Sequence, residues 1–184
     1  MSSACLAALL ALIACGEPAP EAQPEASISS APAASLADVE GLGVPNASMP
    51  MEHLLAAGQP TEEQMAALIQ MGYTNFVSLR DPSETGAGWE ETRVMDMGDV
   101  SFTRIPVTGA EGLTRENVEA LDRILDEAGA EKTVVYCGTS NRVGGLLALR
   151  AYWLDGASPE QALALGRDAG LRSLEPAVAE LLGP

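Results

Sequence analysis

Basic residues are scarce in this chain. Ten Lys and Arg stand against 26 Asp and Glu, a formal net charge of -16, so a phosphate-rich polymer meets a repulsive field and nucleic acid is excluded as a partner. Histidine is scarcer still. His53 is the only one, with no Cys or His at ligand spacing, so neither a metal site nor a metal cofactor is expected. Three cysteines, Cys5, Cys15 and Cys137, are too few and too unevenly placed for a disulfide framework. No apolar run reaches the length of a membrane-spanning helix. Aromatic residues are 4% of the chain while Gly and Pro number 18 and 12, which implies that part of the sequence lies outside any packed core.

That part is at the amino terminus. Residues 2–14 carry no charge and include the run Leu6-Ala-Ala-Leu-Leu-Ala-Leu-Ile-Ala14, the length of a signal-peptide apolar region, although no Lys or Arg precedes it. It ends in Leu12-Ile-Ala-Cys-Gly16, which resembles the bacterial lipobox. The resemblance implies a signal peptide over 1–14 and lipidation of Cys15. The protein would then be a periplasmic lipoprotein, on the outer membrane in preference, touching the membrane through its acyl chains alone. Residues 15–48, rich in Pro, Ala, Ser and Glu, are expected to form a disordered tether. A single folded domain is expected over 49–184.

Within that domain strand and helix signals alternate. Thr61-Glu-Glu-Gln64 is a capping box and opens a helix to Met71, ended by Gly72. Asn75–Leu79 and Val100–Val107 read as strands. Thr114 caps a helix whose Val118, Leu121, Leu125 and Ala128 form one stripe, and Thr133-Val-Val-Tyr136 is an apolar strand of the kind covered on both faces. A helix follows to Trp153, and Ser158-Pro-Glu-Gln161 caps another. A last helix is expected over 173–182. Met65, Met71, Met95 and Met97 read as packing residues, and Gly144-Gly145 as the place where a helix approaches the sheet. The fold class is therefore α/β, with three layers and a mostly parallel central sheet flanked by helices.

The candidate chemistry sits between the apolar strand and the next helix, in Cys137-Gly-Thr-Ser-Asn-Arg142. Ligands bind at the carboxyl ends of strands in open α/β sheets. The amides of Gly138, Thr139, Ser140, Asn141 and Arg142, at a loop leading into a helix, favour an anion, and the Arg142 fork can take two oxygens of a tetrahedral one. Cys137 would be the nucleophile.

The stretch 53–183 resembles the bacterial relatives of cysteine-dependent dual-specificity and tyrosine phosphatases. These include the phosphatase-like domains found beside beta-lactamase-like hydrolases and those fused to NAD kinase. The matching residues are Gly58-Gln-Pro-Thr61, Phe76-Val-Ser-Leu-Arg80 with Glu84, Ile105-Pro-Val107, Cys137 to Gly144, and Gly166-Arg-Asp-Ala-Gly-Leu171. The resemblance implies a phosphatase-like fold and hydrolysis of phosphate monoesters, on a small molecule or a protein, without a cofactor. The reaction would pass through a cysteinyl-phosphate on Cys137. It also implies an acid for the leaving group some thirty residues before the cysteine. Glu111 is the nearest carboxyl there, with Asp99 and Asp81 behind it.

Three positions depart from the family pattern: Tyr136 replaces His, four residues rather than five separate Cys137 from Arg142, and Val143 replaces a hydroxyl residue. The shorter loop resembles that of rhodanese-type sulfurtransferases, which leaves open a Cys137 persulfide fed by a sulfane sulfur donor. A non-catalytic module binding an anion or a partner is the third reading. Ser140 occupies a position where Gly is common and positive φ is needed. Arg80 and Glu84 line the cleft or pair to fix the loop after their strand. For the anchor, Cys15→Ser is expected to shift the protein from the membrane to the soluble fraction on cell fractionation, and an unchanged distribution would remove the lipoprotein reading.

Overall fold

The computed structural model describes residues 35–183. The signal peptide, Cys15 and the first part of the expected tether lie outside them. Ser48–Met51 (β1) turns through Glu52 and His53 into Leu54–Ala57 (β2), antiparallel to it. His53 takes φ 60° in that turn. Tyr73–Ser78 (β3), Ser101–Arg104 (β4) and Lys132–Tyr136 (β5) complete a sheet of order β1-β2-β5-β3-β4, parallel from β2 onward. Seven helices are present among the described residues: α1 Leu36–Gly41, α2 Glu62–Gln70, α3 Glu90–Asp96, α4 Arg115–Ala128, α5 Asn141–Trp153, α6 Pro159–Asp168 and α7 Glu175–Leu182. None is long and apolar enough to cross a membrane.

The two-residue alternation of the strands divides the core. Leu54, Ala56, Val77, Leu79, Val135 and Cys137 pack with residues of α4, α5, α6 and α7. Leu55, Ala57, Phe76, Val134 and Tyr136 pack with residues of α1, α2 and α3. The three layers expected from the alternating sequence are thus present. Capping boxes at Thr61 and Ser158 start α2 and α6, and Thr114 accepts from the Asn117 amide at the start of α4.

The tether boundary needs correction. Ser35 and Asp38 form a capping box that starts α1, and Val39 and Val44 are buried against the α2 side of the sheet. Residues 35–48 therefore belong to the domain. Val39 and Val44, with Leu42 and Ala47 packed beside them, dock the segment by burying apolar surface, and hydrogen bonds to the Leu42 and Pro45 oxygens hold it. Met95 also departs from expectation, being 51% exposed.

Register explains why the site lies where it does. Ala57, Tyr136 and Ser78 are level across β2, β5 and β3, so the segments after all three strands emerge side by side at one edge. α5, which starts at that edge, covers one face of the sheet, and its Gly144 is where it meets α6 at Gly166 rather than the sheet. A Cβ on Gly144 would lie 2.4 Å from both the Gly166 oxygen and the Leu171 nitrogen. Backbone atoms of a neighbouring element cannot yield as a flexible side chain can, so Gly144→Ala is expected to destabilise the fold by about 2 kcal/mol or more in denaturant unfolding. A loss below about 0.5 kcal/mol would show that α5 and α6 are not in such contact.

Candidate anion site at the end of the central strand

Cys137 follows β5 directly, and its amide donates to the Ala57 oxygen at 3.2 Å, extending the β2–β5 ladder by one residue. Alternation turns its side chain toward α5, where it is 1% exposed among Leu54, Ala56, Leu79 and Val143. Gly138 and Thr139 are exposed. The Gly138 carbonyl accepts from the Gln59 amide and the Thr139 carbonyl from the Asn46 side chain at 3.2 Å. The loop's oxygens are thus held from the β2 side.

Its nitrogens are not. Ser140 adopts the left-handed conformation, φ 65°, and its buried hydroxyl donates to the Ala169 oxygen at 2.8 Å. A residue at this position ordinarily takes extended backbone and caps the helix with its side chain. Here the side chain is turned away, and the amides of Asn141, Arg142 and Val143 find no acceptor among the described residues, nor do those of Gly138 and Thr139. Five free N–H groups beside one sulfur, at a helix start, form a region of positive potential suited to an anion. The positive φ at Ser140 agrees with what the resemblance to domains that commonly carry Gly there implied.

The Asn141 side chain faces elsewhere. Its Oδ1 accepts from the Arg172 amide at 2.7 Å and its Nδ2 donates to Ser173 at 2.8 Å. It ties the α6–α7 connection to the loop and leaves only its backbone to an anion. With Asn46, Thr139, Gly170 and Arg172 it lines a cleft of about 380 Å³.

Arg142 is the most firmly held group at the site. One terminal nitrogen donates to the Leu79 and Val107 oxygens at 3.2 and 2.9 Å and to Glu84 Oε1 at 2.6 Å. The other donates to Glu84 Oε2 at 2.9 Å. The Glu84 hydrogen bond, and secondarily the nearby Cys137, hold the guanidinium proton more firmly than usual, against the opposing effect of burial. Its Nε has no acceptor among the described residues. Glu84 also receives Arg80 Nε at 3.1 Å and the Asp81 amide at 3.0 Å. Of the two readings of the Arg80–Glu84 pair, the structure shows the one in which it fixes the loop after its strand, and Glu84 also reaches across to Arg142.

The acid candidates are not brought to the sulfur. Glu111 is exposed on the connection before α4, lining a groove with Ala177, Glu180 and Leu181 that includes no residue of the anion loop. A chain count of thirty residues placed it near the site, but the connection carries it toward α7. Asp99 precedes β4 and lies with Thr74, Asn75 and Glu131 at the amino ends of the parallel strands, the opposite edge of the sheet. Asp81 accepts from the Ser83 amide and hydroxyl in a local turn. No group of three or more His, Cys, Asp or Glu is placed to hold a metal among the described residues.

Sequence reasoning passed over Glu90 and Arg104. Glu90 is wholly buried, accepts from Ser78 at 2.8 Å and pairs with Arg104 at 3.1 Å. Nothing distinguishes Glu90 among 26 acidic residues. Arg104 had a signal, since it ends a strand in a chain with only ten cations.

No family model matches the sequence, and no curated relative matches it. The fold is shared with solved phosphatase structures. A candidate phosphatase (DUF442) from Shewanella putrefaciens is 21% identical at a TM-score of 0.61, over 78% of this chain and 95% of that one. A candidate phosphatase from Neisseria meningitidis is 20% identical at 0.60, over 72% and 96%. Pseudomonas aeruginosa TpbA, in a mutant form complexed with pTyr, is 18% identical at 0.51, over 77% and 91%. The cysteine-based tyrosine phosphatase fold expected from sequence is therefore present.

The Arg142 pairing holds the Glu84 carboxyl down to about 2 from an ordinary 4.5. A carboxylate favoured in this way stabilises the folded state fully above its unfolded value, and the gain is lost as pH falls toward about 2. Acid unfolding followed from pH 5 to 2 is expected to show a shallower loss of stability in Glu84→Gln than in wild type. Parallel curves would remove the pairing.

Proposed function

We propose that this protein is a cysteine-dependent phosphoric monoester hydrolase. The observation that carries the reading is the set of five acceptor-free amides beside Cys137, joined by an Arg142 whose outer edge is held by Glu84 while its Nε stays available. A tetrahedral oxyanion offers complementary acceptors to both, and the phosphatase fold supports the assignment.

In the proposed reaction the Cys137 thiolate attacks phosphorus and the bond from phosphorus to the ester oxygen breaks, leaving a cysteinyl-phosphate and an alcohol. The amides of Gly138, Thr139, Asn141 and Arg142, with the Arg142 guanidinium, hold the phosphoryl oxygens as charge shifts among them. Water then attacks phosphorus, releasing phosphate and the thiolate. The sulfur is 1% exposed, so a bordering segment withdraws before substrate reaches it. The connection that begins at Val107, whose oxygen binds Arg142, is the one we assign to this movement.

Glu84 is ionised and fully paired at neutral pH, so it has no proton to give the departing alcohol. Glu111 can serve only if that same connection swings it inward. Leaving groups that depart unprotonated need no such help, and aryl phosphates, with pTyr on a peptide as the protein form, are the substrate class proposed. The cleft beside Thr139 and Arg172 accommodates polar substrate groups. The lipobox-like segment at Cys15 supports placing the enzyme in the bacterial periplasm, tethered to the membrane.

The loop length and the displaced acid favour sulfur transfer as the second reading. Purified protein is expected to hydrolyse p-nitrophenyl phosphate, with Cys137→Ser losing about a thousandfold or more in kcat and Arg142→Ala at least about a hundredfold in kcat/KM. Undiminished hydrolysis by Cys137→Ser would sink the mechanism. A wild type inert toward phosphate esters, but gaining one sulfur on Cys137 from thiosulfate by mass spectrometry, would replace it with the persulfide reading. Phosphate binding without turnover would leave a binding module.

A further inference from the structure

Behind the anion loop runs a file of side chains whose charges alternate. Arg104 pairs with Glu90 at 3.1 Å, Glu90 faces Arg80 at 3.7 Å, Arg80 pairs with Glu84 at 3.1 Å, and Glu84 takes both terminal nitrogens of Arg142. The file holds three guanidiniums and two carboxylates, and Arg142 is its end at the loop that follows Cys137. Glu90 lies at the centre of the buried part, its side chain 0% exposed between Arg80 at 9% and Arg104 at 13%. It touches neither the sulfur nor Arg142.

A carboxylate withdrawn completely from water is costly unless paired, and apolar residues of similar volume would often serve stability as well. A buried charge in such a position is better explained by what it orients. The geometry of Arg80 says what that is. Its terminal nitrogens donate to Gln59 Oε1, the Thr85 oxygen and the Gly86 oxygen at 2.8, 2.7 and 3.3 Å, and its Nε is left to Glu84. Glu90 Oε1, buried without a hydrogen-bond partner, faces Arg80 at 3.7 Å and draws it by charge, and the Glu84 carboxylate takes the Arg80 Nε. Glu84 then sets the plane of Arg142.

We infer that Glu90 is a positioning residue for the anion site, fixing the Arg142 guanidinium through Arg80 and Glu84 so that its free edge faces a tetrahedral oxyanion. The inference rests on the proposed function in taking Arg142 as the anion-binding group. It makes a prediction opposite in sign to plain electrostatics. Glu90→Gln deletes a negative charge near an anion site, which by Coulomb attraction alone tightens anion binding. Loss of positioning weakens it.

Inorganic phosphate titrated calorimetrically into the full chain separates the two. Glu90→Gln is expected to bind phosphate about fivefold or more weakly than wild type, and less than about twofold more weakly when introduced into Glu84→Gln, because residues acting in series do not add. Tighter or unchanged binding by a folded Glu90→Gln protein overturns the inference, as does an equal loss in both backgrounds. Should Glu90→Gln fail to fold, Arg80→Lys, which keeps the charge and loses the fork, carries the same pair of measurements. If wild type binds no phosphate, the proposed function falls, and NMR of the guanidinium groups decides the positioning by itself. Hindered rotation of Arg142 in wild type, assigned by its loss in Arg142→Lys, is expected to disappear in Glu90→Gln, and its persistence overturns the inference.

Discussion

A guanidinium clamped on one edge and open on the other is the feature from which the rest of this site follows. Glu84 fixes two nitrogens of Arg142, and the Leu79 and Val107 carbonyls fix one of them again. A long side chain with four rotatable bonds thereby has its conformational entropy removed before any ligand arrives, which is the condition for strong recognition of a planar or tetrahedral oxyanion. Those acceptors come from the segments that follow β3 and β4, while Arg142 belongs to the helix that follows β5. The parallel, level registration of those strands is what allows the contact.

The anion loop shows the same economy at the level of the backbone. Its carbonyls are engaged by Gln59 and Asn46 from the β2 side, and the amides of Gly138, Thr139, Asn141, Arg142 and Val143 find no acceptor among the described residues. The left-handed Ser140 achieves this separation by turning its hydroxyl to Ala169 rather than to the helix start. A non-glycine residue in that conformation is strained by about 1 kcal/mol, and a buried hydrogen bond of the hydroxyl offsets the strain. Gly170 lies so close that a Cβ there would meet the Ser140 Cβ at 2.6 Å. The strain is thus held in place by packing against the α6–α7 connection, which Asn141 ties down from the other side.

Charge placement in this protein is lopsided with a purpose visible only in three dimensions. A chain of net charge -16 would repel phosphate monoesters if its field were uniform. Arg80, Arg104 and Arg142, three of its ten cations, gather at the carboxyl edge of the sheet, where Glu84 and Glu90 pair with them.

Much of the fold was legible along the chain, because it rests on local chemistry. Thr61, Thr114 and Ser158 cap their helices, the apolar run 133–136 reads as a covered strand, and Cys137-Gly-Thr-Ser-Asn-Arg142 reads as a loop between that strand and a helix. β1, β2 and α3 were not legible, since four-residue strands and a helix begun at Trp89 without a capping side chain carry too little periodic pattern to register. Nor could a linear count say that Glu111 faces α7, that Asp99 lies at the far edge of the sheet, or that Glu90 is buried. Sequence by itself determined the capped helices and the covered strand, and which residue types stand in the loop after it. Tertiary structure alone decided which of them meet, because strand order and register set distances between residues that spacing along the chain leaves free.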